Sequence, residues 1–310
     1  MSDLHPQVLD LLASMSAIPP QPWEVPIEAY RAAGEKLINL AGEPNPLCCV
    51  QDMEVPLPGR VLHARRYYPK GAVGPVPCVV YFHGGGFIRG GLDSHDRLCR
   101  EVSVQGDLCV VSVAYRLAPE NPYPAAHVDA VESFRWIADH HDDLRIDRGA
   151  LAVAGDSSGG MLAAIVAAKL GARTGGALVR AQGILCPVLD LTLGGGSVAR
   201  YAAAPLLSRK ALQWCIEQYV PDVGLRSSPE VSPLFGNLAD CPPTVVVSAE
   251  IDPVADDASR YVSTLNNSGG EASWREYSGM PHSFFLLSGA LDEGRRAVTE
   301  FSSDMSNLLR

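Results

Sequence analysis

No two of the eight cysteines are spaced C-x-x-C, which removes the paired-thiol pattern of many metal and redox sites. Cys78, Cys109 and Cys186 lie inside apolar runs and read as core thiols, and the adjacent Cys48 and Cys49 are read the same way. Lys and Arg never cluster beyond a pair, and the net charge is −10, so neither nucleic acid nor an anionic membrane surface is an expected partner. The acidity reads as solubility. Long apolar runs are missing as well. The opening stretch "MSDLHPQVLDLLASMSAIPPQPW" has no basic leader and is interrupted by Asp10 and Ser14. It is a poor secretory signal and too short to span a bilayer, so a cytoplasmic location is expected.

Apolar residues, by contrast, are plentiful: 47% hydrophobic against 19% charged excludes disorder and supplies a sizeable core. At 310 residues the chain falls in the range of single large α/β domains, with no internal repeat and no long linker. From residue 61 onward, "VLHARRYY", "PCVVYF", "CVVSVAY", "LAVAG", "GILCPVL", "TVVVSAE" and "ASWREY" read as strands. Several are continuously apolar, as strands buried on both faces should be. Helix-like stretches separate them, from "SHDRLCREVSVQG" to the C-terminal "DEGRRAVTEFSSDMSNLL". Strand and helix in alternation predict a mainly parallel sheet covered on both faces. Residues 1 to 45 and about 191 to 233 break this rhythm and are expected to form a cap.

"GDSSGG", residues 155–160, falls where a buried strand turns into a helix. It matches G-x-S-x-G, in which small residues make room for a sharp turn that exposes the Ser157 hydroxyl above a helix N-terminus. A capped helix start is the plainer reading of the same residues. What favours a nucleophile is "HGGGF", residues 83–87, also at a strand end, where bare backbone N–H groups can approach a ligand oxygen. The amides of Gly84, Gly85 and Ser158 are the expected donors to an oxyanion. A phosphate loop is disfavoured, because no G-K-[ST] follows.

A serine hydroxyl needs a base, and the base a carboxylate to orient it. Of the eight histidines, His282 in "YSGMPHSFF" follows the last strand and lies in a loop. Asp252 ends "TVVVSAEID" and precedes a proline, which biases it away from helix and onto the strand-end loop; Glu250 remains its rival. Asp256 and Asp257 fall in the next helix and read as its solvated first turn. His83 is expected to hold the glycine turn. His5, His63, His95 and His127 have no partners at metal-ligand spacing, and "DHHDDL" reads as a charged helix end, so no metal is expected.

On "HGGGF", "YRLAPENPYPAA" (115–126), "GDSSGG", "DP" (252–253) and "GMPHSF" (279–284), the chain resembles the bacterial hormone-sensitive-lipase-like esterases across about residues 60 to 310. These are α/β-hydrolases, and the resemblance implies that fold with a helical cap over a catalytic domain spanning 46–310. It implies Ser157, Asp252 and His282 as the triad, and short- to medium-chain acyl or aryl esters as small-molecule substrates. No cofactor is implied, and a homodimer is left open. Ser158 stands where the family usually has Ala, and "VADD" replaces its usual Leu-Arg-Asp. Phe87, Tyr201, Leu206, Leu207 and Trp214, with Trp23, Tyr30 and Leu37, are candidates to wall the substrate pocket. An amide or lactone would suit the same triad; a receptor of this fold that binds without turnover is disfavoured by His282.

Overall fold

The computed structural model describes residues 4–15, 20–171 and 178–310, and only the backbone of 35–38. Its strands are β1 (Cys48–Leu57), β2 (Arg60–Pro69), β3 (Val76–Phe82), β4 (Cys109–Ala114), β5 (Ile146–Asp156), β6 (Ala181–Leu185), β7 (Thr244–Ile251) and β8 (Ala272–Pro281). They form one eight-stranded sheet in the order β1-β2-β4-β3-β5-β6-β7-β8. β2 runs antiparallel to both β1 and β4, and the remaining pairs are parallel. Every strand expected from the sequence is present. β1 is added to them: it is an edge strand, mostly exposed or half-buried, and so lacks the apolar run that marks the others.

The helices are α1 (Pro6–Ser14), α2 (Ile27–Glu35), α3 (Asp96–Gly106), α4 (Ala125–Asp139), α5 (His141–Leu144), α6 (Ser158–Leu170), α7 (Gly196–Arg200), α8 (Arg209–Tyr219), α9 (Ala255–Asn267) and α10 (Asp292–Leu309). Alternation along the strands divides the core in two. Cys78, Val80 and Phe82 of β3 pack with α4, α6 and α9, whereas Val79 and Tyr81 pack with α3 and α10. β7 does the same, sending Val246 one way and Val245 and Val247 the other. Continuous apolar strands are what two covered faces require.

The chain leaves β3 toward β4 on one side, then returns to place β5 on the other side of β3. Beyond the carboxyl ends of β3 and β5, connections diverge and open a crevice, the place where open parallel sheets bind ligands. The segments outside the strand-helix rhythm lie over it. Arg31 of α2 donates to the carbonyl of Ile88 (2.8 Å), His5 N–H to that of Gly279 (3.0 Å), and Gly289 N–H to that of Leu40 (3.0 Å). α8 buries Leu212, Cys215 and Ile216 against the same region.

Candidate active site

β5 ends at Asp156 and α6 begins at Ser158, leaving Ser157 as the single turning residue, with φ 53° and ψ −118°. An L-residue in that region is strained, and the surroundings hold it there. Ser157 N–H donates to Leu185 on β6 (2.9 Å), and its carbonyl accepts from Val188 (3.2 Å). The flanking glycines permit the fit. A β-carbon on Gly159 would stand 2.0 Å from the Phe82 carbonyl oxygen, and one on Gly155 2.3 Å from that of Gly159. α6 is apolar on every side because it is wedged between the sheet and α4.

The next two groups emerge from the strands on the far side of β6. Asp252 follows β7 and His282 follows β8, so neighbouring strand ends present acid and base together. His282 Nε2 lies 2.9 Å from Ser157 Oγ, and its Nδ1 lies 2.7 Å from Asp252 Oδ2. A carboxylate accepts, so Nδ1 carries the proton and Nε2 faces the hydroxyl as an acceptor. The second carboxylate oxygen of Asp252 accepts from Val254 N–H (3.0 Å), which fixes the side chain from behind. All three residues are buried. Glu250, the rival acid, points elsewhere and accepts from Gly279 N–H (2.8 Å). Cys186 places its sulfur within 4.8 Å of the Asp252 and His282 ligand atoms. Burial and the neighbouring Asp252 push its thiol well above the usual range.

The glycine loop corrects one expectation. Gly84 N–H is already committed, donating to Asp156 Oδ1 at 2.9 Å and lying 3.3 Å from His95 Nε2. A β-carbon on Gly84 would meet the Asp156 carboxylate at 2.2 Å. Gly84 therefore anchors the loop and offers no free donor. Among the described residues, the N–H groups of Gly85, Gly86 and Ser158 have no protein acceptor. Gly85 (φ 119°) and Gly86 (φ 67°) adopt backbone angles suited to glycine, turning those amides away from the strand.

Asp156 and His95 are functional neighbours that sequence reasoning missed. Asp156 also accepts from Tyr81 Oη (2.7 Å) and pairs with His95 (3.0 Å). Burial opposes its charge, but His95 and Tyr81 outweigh it and hold the carboxyl below its ordinary value. Its position inside "GDSSGG" is the one signal that could have pointed to it. His83 keeps the expected role: Nδ1 lies 2.8 Å from the Gly84 carbonyl, and burial, then His95, lowers its pKa to about 4. The hydroxyl of Ser158, the departure from alanine, accepts from Phe87 N–H (3.2 Å) and so ties the elbow to the glycine loop.

A cavity of about 300 Å³ opens over Ser157 and His282. Of the expected wall residues, Phe87, Leu206, Leu207 and Tyr30 line it. Trp214 and Tyr201 do not, which corrects their assignment. Trp214 stands edge-on behind Tyr30 (6.2 Å between centroids), and Tyr201 packs into the core beside Leu206. Trp23 lies under Lys210 (3.9 Å), and the side chain of Leu37 falls outside the described residues. Phe87 is braced by a stacked Tyr219 at 3.7 Å. A third correction concerns α9: Asp257 is buried, not solvated, and accepts from Leu189 N–H (2.8 Å) and Asp190 N–H (3.1 Å).

A hydroxyl facing a neutral imidazole nitrogen, with unpaired amides alongside, is equipped to attack an acyl carbonyl. The family described as the alpha/beta hydrolase fold matches residues 79–286. The ethyl acetate hydrolase of Pseudomonas putida is 34% identical over 86% of this chain and 85% of its own. Esterase LipI of Mycobacterium tuberculosis is 36% identical over 88% and 85%. The solved esterase of Pyrobaculum calidifontis superposes with a TM-score of 0.90 at 35% identity, covering 98% of both chains. With this sheet order, these strand ends and these relatives, the chain belongs to the α/β-hydrolase fold family, among its hormone-sensitive-lipase-like esterases, and is a carboxylic ester hydrolase.

Proposed function

We propose that Ser157 is the acylated nucleophile, His282 the general base and acid, Asp252 its orienting carboxylate, and short- to medium-chain acyl or aryl esters the substrates. The observation that carries this is the unbroken chain from Ser157 Oγ through His282 to Asp252, at 2.9 Å and 2.7 Å. Ser157 Oγ adds to the ester carbonyl carbon while His282 Nε2 takes its proton. Negative charge develops on the former carbonyl oxygen, where the amides of Gly85, Gly86 and Ser158 receive it. Preorganised donors of this kind are commonly worth several kcal/mol. The intermediate collapses, His282 returns the proton to the departing alkoxide, and an acyl-Ser157 remains. Water, deprotonated by His282, repeats the sequence and releases the acid.

Cavity size supports the chain-length assignment, since about 300 Å³ lies at the small end of ligand pockets. Tyr30, together with Leu191, Leu206, Leu207, Leu212 and Ile216 of the 191–233 segment, gives the cavity apolar walls that suit an acyl chain, in keeping with a cap. A serine-directed phosphonate should label Ser157 once per chain, and Ser157→Ala should lose turnover by at least about 10⁴-fold. Rates on chromogenic esters of increasing chain length, beside a matched anilide, test the substrate class. Labelling elsewhere, near-native turnover in Ser157→Ala, or a faster anilide would overturn the reading.

A further inference from the structure

Two arginines line the cavity, and they are used very differently. Arg31 is fully engaged: its guanidinium pairs with Glu120 (2.7 Å) and donates to the carbonyls of Ile88 (2.8 Å) and Ala118 (3.0 Å). Arg89 is not. It is half-buried, its guanidinium carbon lies 4.6 Å from the Tyr30 ring centroid, and among the described residues no carboxylate or carbonyl accepts from it. Of the two acids on the cavity wall, Asp93 is committed to Arg65 at 2.8 Å, and Asp156 to Gly84 N–H, the Tyr81 hydroxyl and His95.

The surroundings hold this side chain in place. Arg89 N–H donates to the Gly85 carbonyl (3.1 Å), so the residue closes one turn of the loop that carries the free amides. Gly34, inside α2, leaves the space its side chain fills: a β-carbon there would stand 3.2 Å from Cδ and 3.3 Å from Nη1. Glycine within a helix is unfavourable relative to alanine. Here it gives room to a guanidinium. The residues placed around Arg89 (Tyr30, Gly34, Cys215) contribute no negative charge, and Tyr30 and Cys215 are each held protonated by burial, with pKa values of about 12. With a net charge of −10, the molecule as a whole repels anions, so an attraction here is local to this side chain.

We propose that Arg89 is a specificity residue that receives a carboxylate borne by the ester substrate, on its acyl or its alcohol half. The inference rests on the esterase reading above and narrows its substrate class to esters that carry one negative charge. A planar guanidinium has a fork of donors matched to a carboxylate, and a substrate anion supplies the acceptor that the described residues do not.

The test compares matched esters in the wild type, Arg89→Met and Arg89→Lys. The acyl-side pairs are the methyl half-esters of succinic, glutaric and adipic acids against methyl butyrate, valerate and hexanoate. The alcohol-side pair is the butyryl ester of glycolic acid against ethyl butyrate. Phosphonate titration of Ser157 counts competent sites in each preparation, so a folding defect cannot imitate a change in selectivity. For at least one pair, the charged-to-neutral ratio of kcat/KM should fall about 10-fold or more in Arg89→Met. Arg89→Lys should fall between, and added salt should lower the wild-type ratio. Ratios equal in wild type and Arg89→Met across every pair overturn the proposal. Failure of the wild type on every ester, charged and neutral alike, would instead bring down the esterase reading beneath it.

Discussion

Three of the proposed site residues were legible because each is marked by chemistry and by position. Ser157 has glycines on both sides, His282 follows the last strand, and Asp252 precedes a proline. The proposed oxyanion donors were legible only to within one residue. Three successive glycines look alike in a sequence, and it takes the Asp156 carboxylate on Gly84 N–H to separate the anchor from the free amides. Asp252 and Glu250 were separated in the same way, by the partners each has found. Asp252→Asn should lower kcat by about 10⁴-fold with the fold intact, because an amide favours the wrong imidazole tautomer. Glu250→Gln should cost far less, since it still offers an oxygen to Gly279 N–H. Steady-state kinetics on one chromogenic ester, with circular dichroism of both variants, checks the pair; the larger loss in Glu250→Gln would reverse the assignment.

At the scale of elements, the alternation of apolar runs and amphipathic stretches located the sheet and its covering helices. It could not find β1, whose residues face solvent at the sheet edge. Nor could it show what lies over the first turn of α9, where helical periodicity places Asp257 among acidic surface residues. The turn is instead an anchor for the 191–233 segment. Ser197 N–H donates to Asp256 Oδ2 (2.9 Å), while Asp257 holds the amides of Leu189 and Asp190. Burial, with the nearby Asp190, raises the Asp257 pKa from 3.8 to about 7 despite those donors. The folded state therefore keeps a proton that the unfolded chain gives up between 3.8 and about 7, and stability falls as pH rises through that window. Urea unfolding midpoints on either side of it should decline in the wild type by the equivalent of roughly 1–3 kcal/mol. Asp257→Asn, which cannot ionise, should flatten that slope, and an unchanged slope would show that other groups cause it.

Across the whole molecule, the cavity is assembled from parts far apart in the chain. Tyr30 and Gly34 come from one end, Leu191, Leu207 and Ile216 from the 191–233 segment, and the glycine loop from between them. Wall membership was therefore the least legible feature. Aromatic content suggested Trp214 and Tyr201, but which side of a helix meets the cavity is decided by tertiary packing. Leu207→Trp should shift the chain-length optimum toward shorter acyl groups while phosphonate labelling of Ser157 persists. An unchanged rate profile across a series of p-nitrophenyl esters would remove Leu207 from the acyl wall. Leu206 is a poorer choice, since at φ 67° its backbone already strains a side chain. The bonds from His5 to Gly279 and from Leu40 to Gly289 have a consequence in time as well as in space. A ribosome makes His5 and Leu40 long before Gly279 and Gly289, so through most of this stretch's synthesis these two bonds lack one partner. The serine is made 125 residues before the histidine it needs. Under the proposed triad, a growing chain that has not yet reached His282 carries the serine without its base.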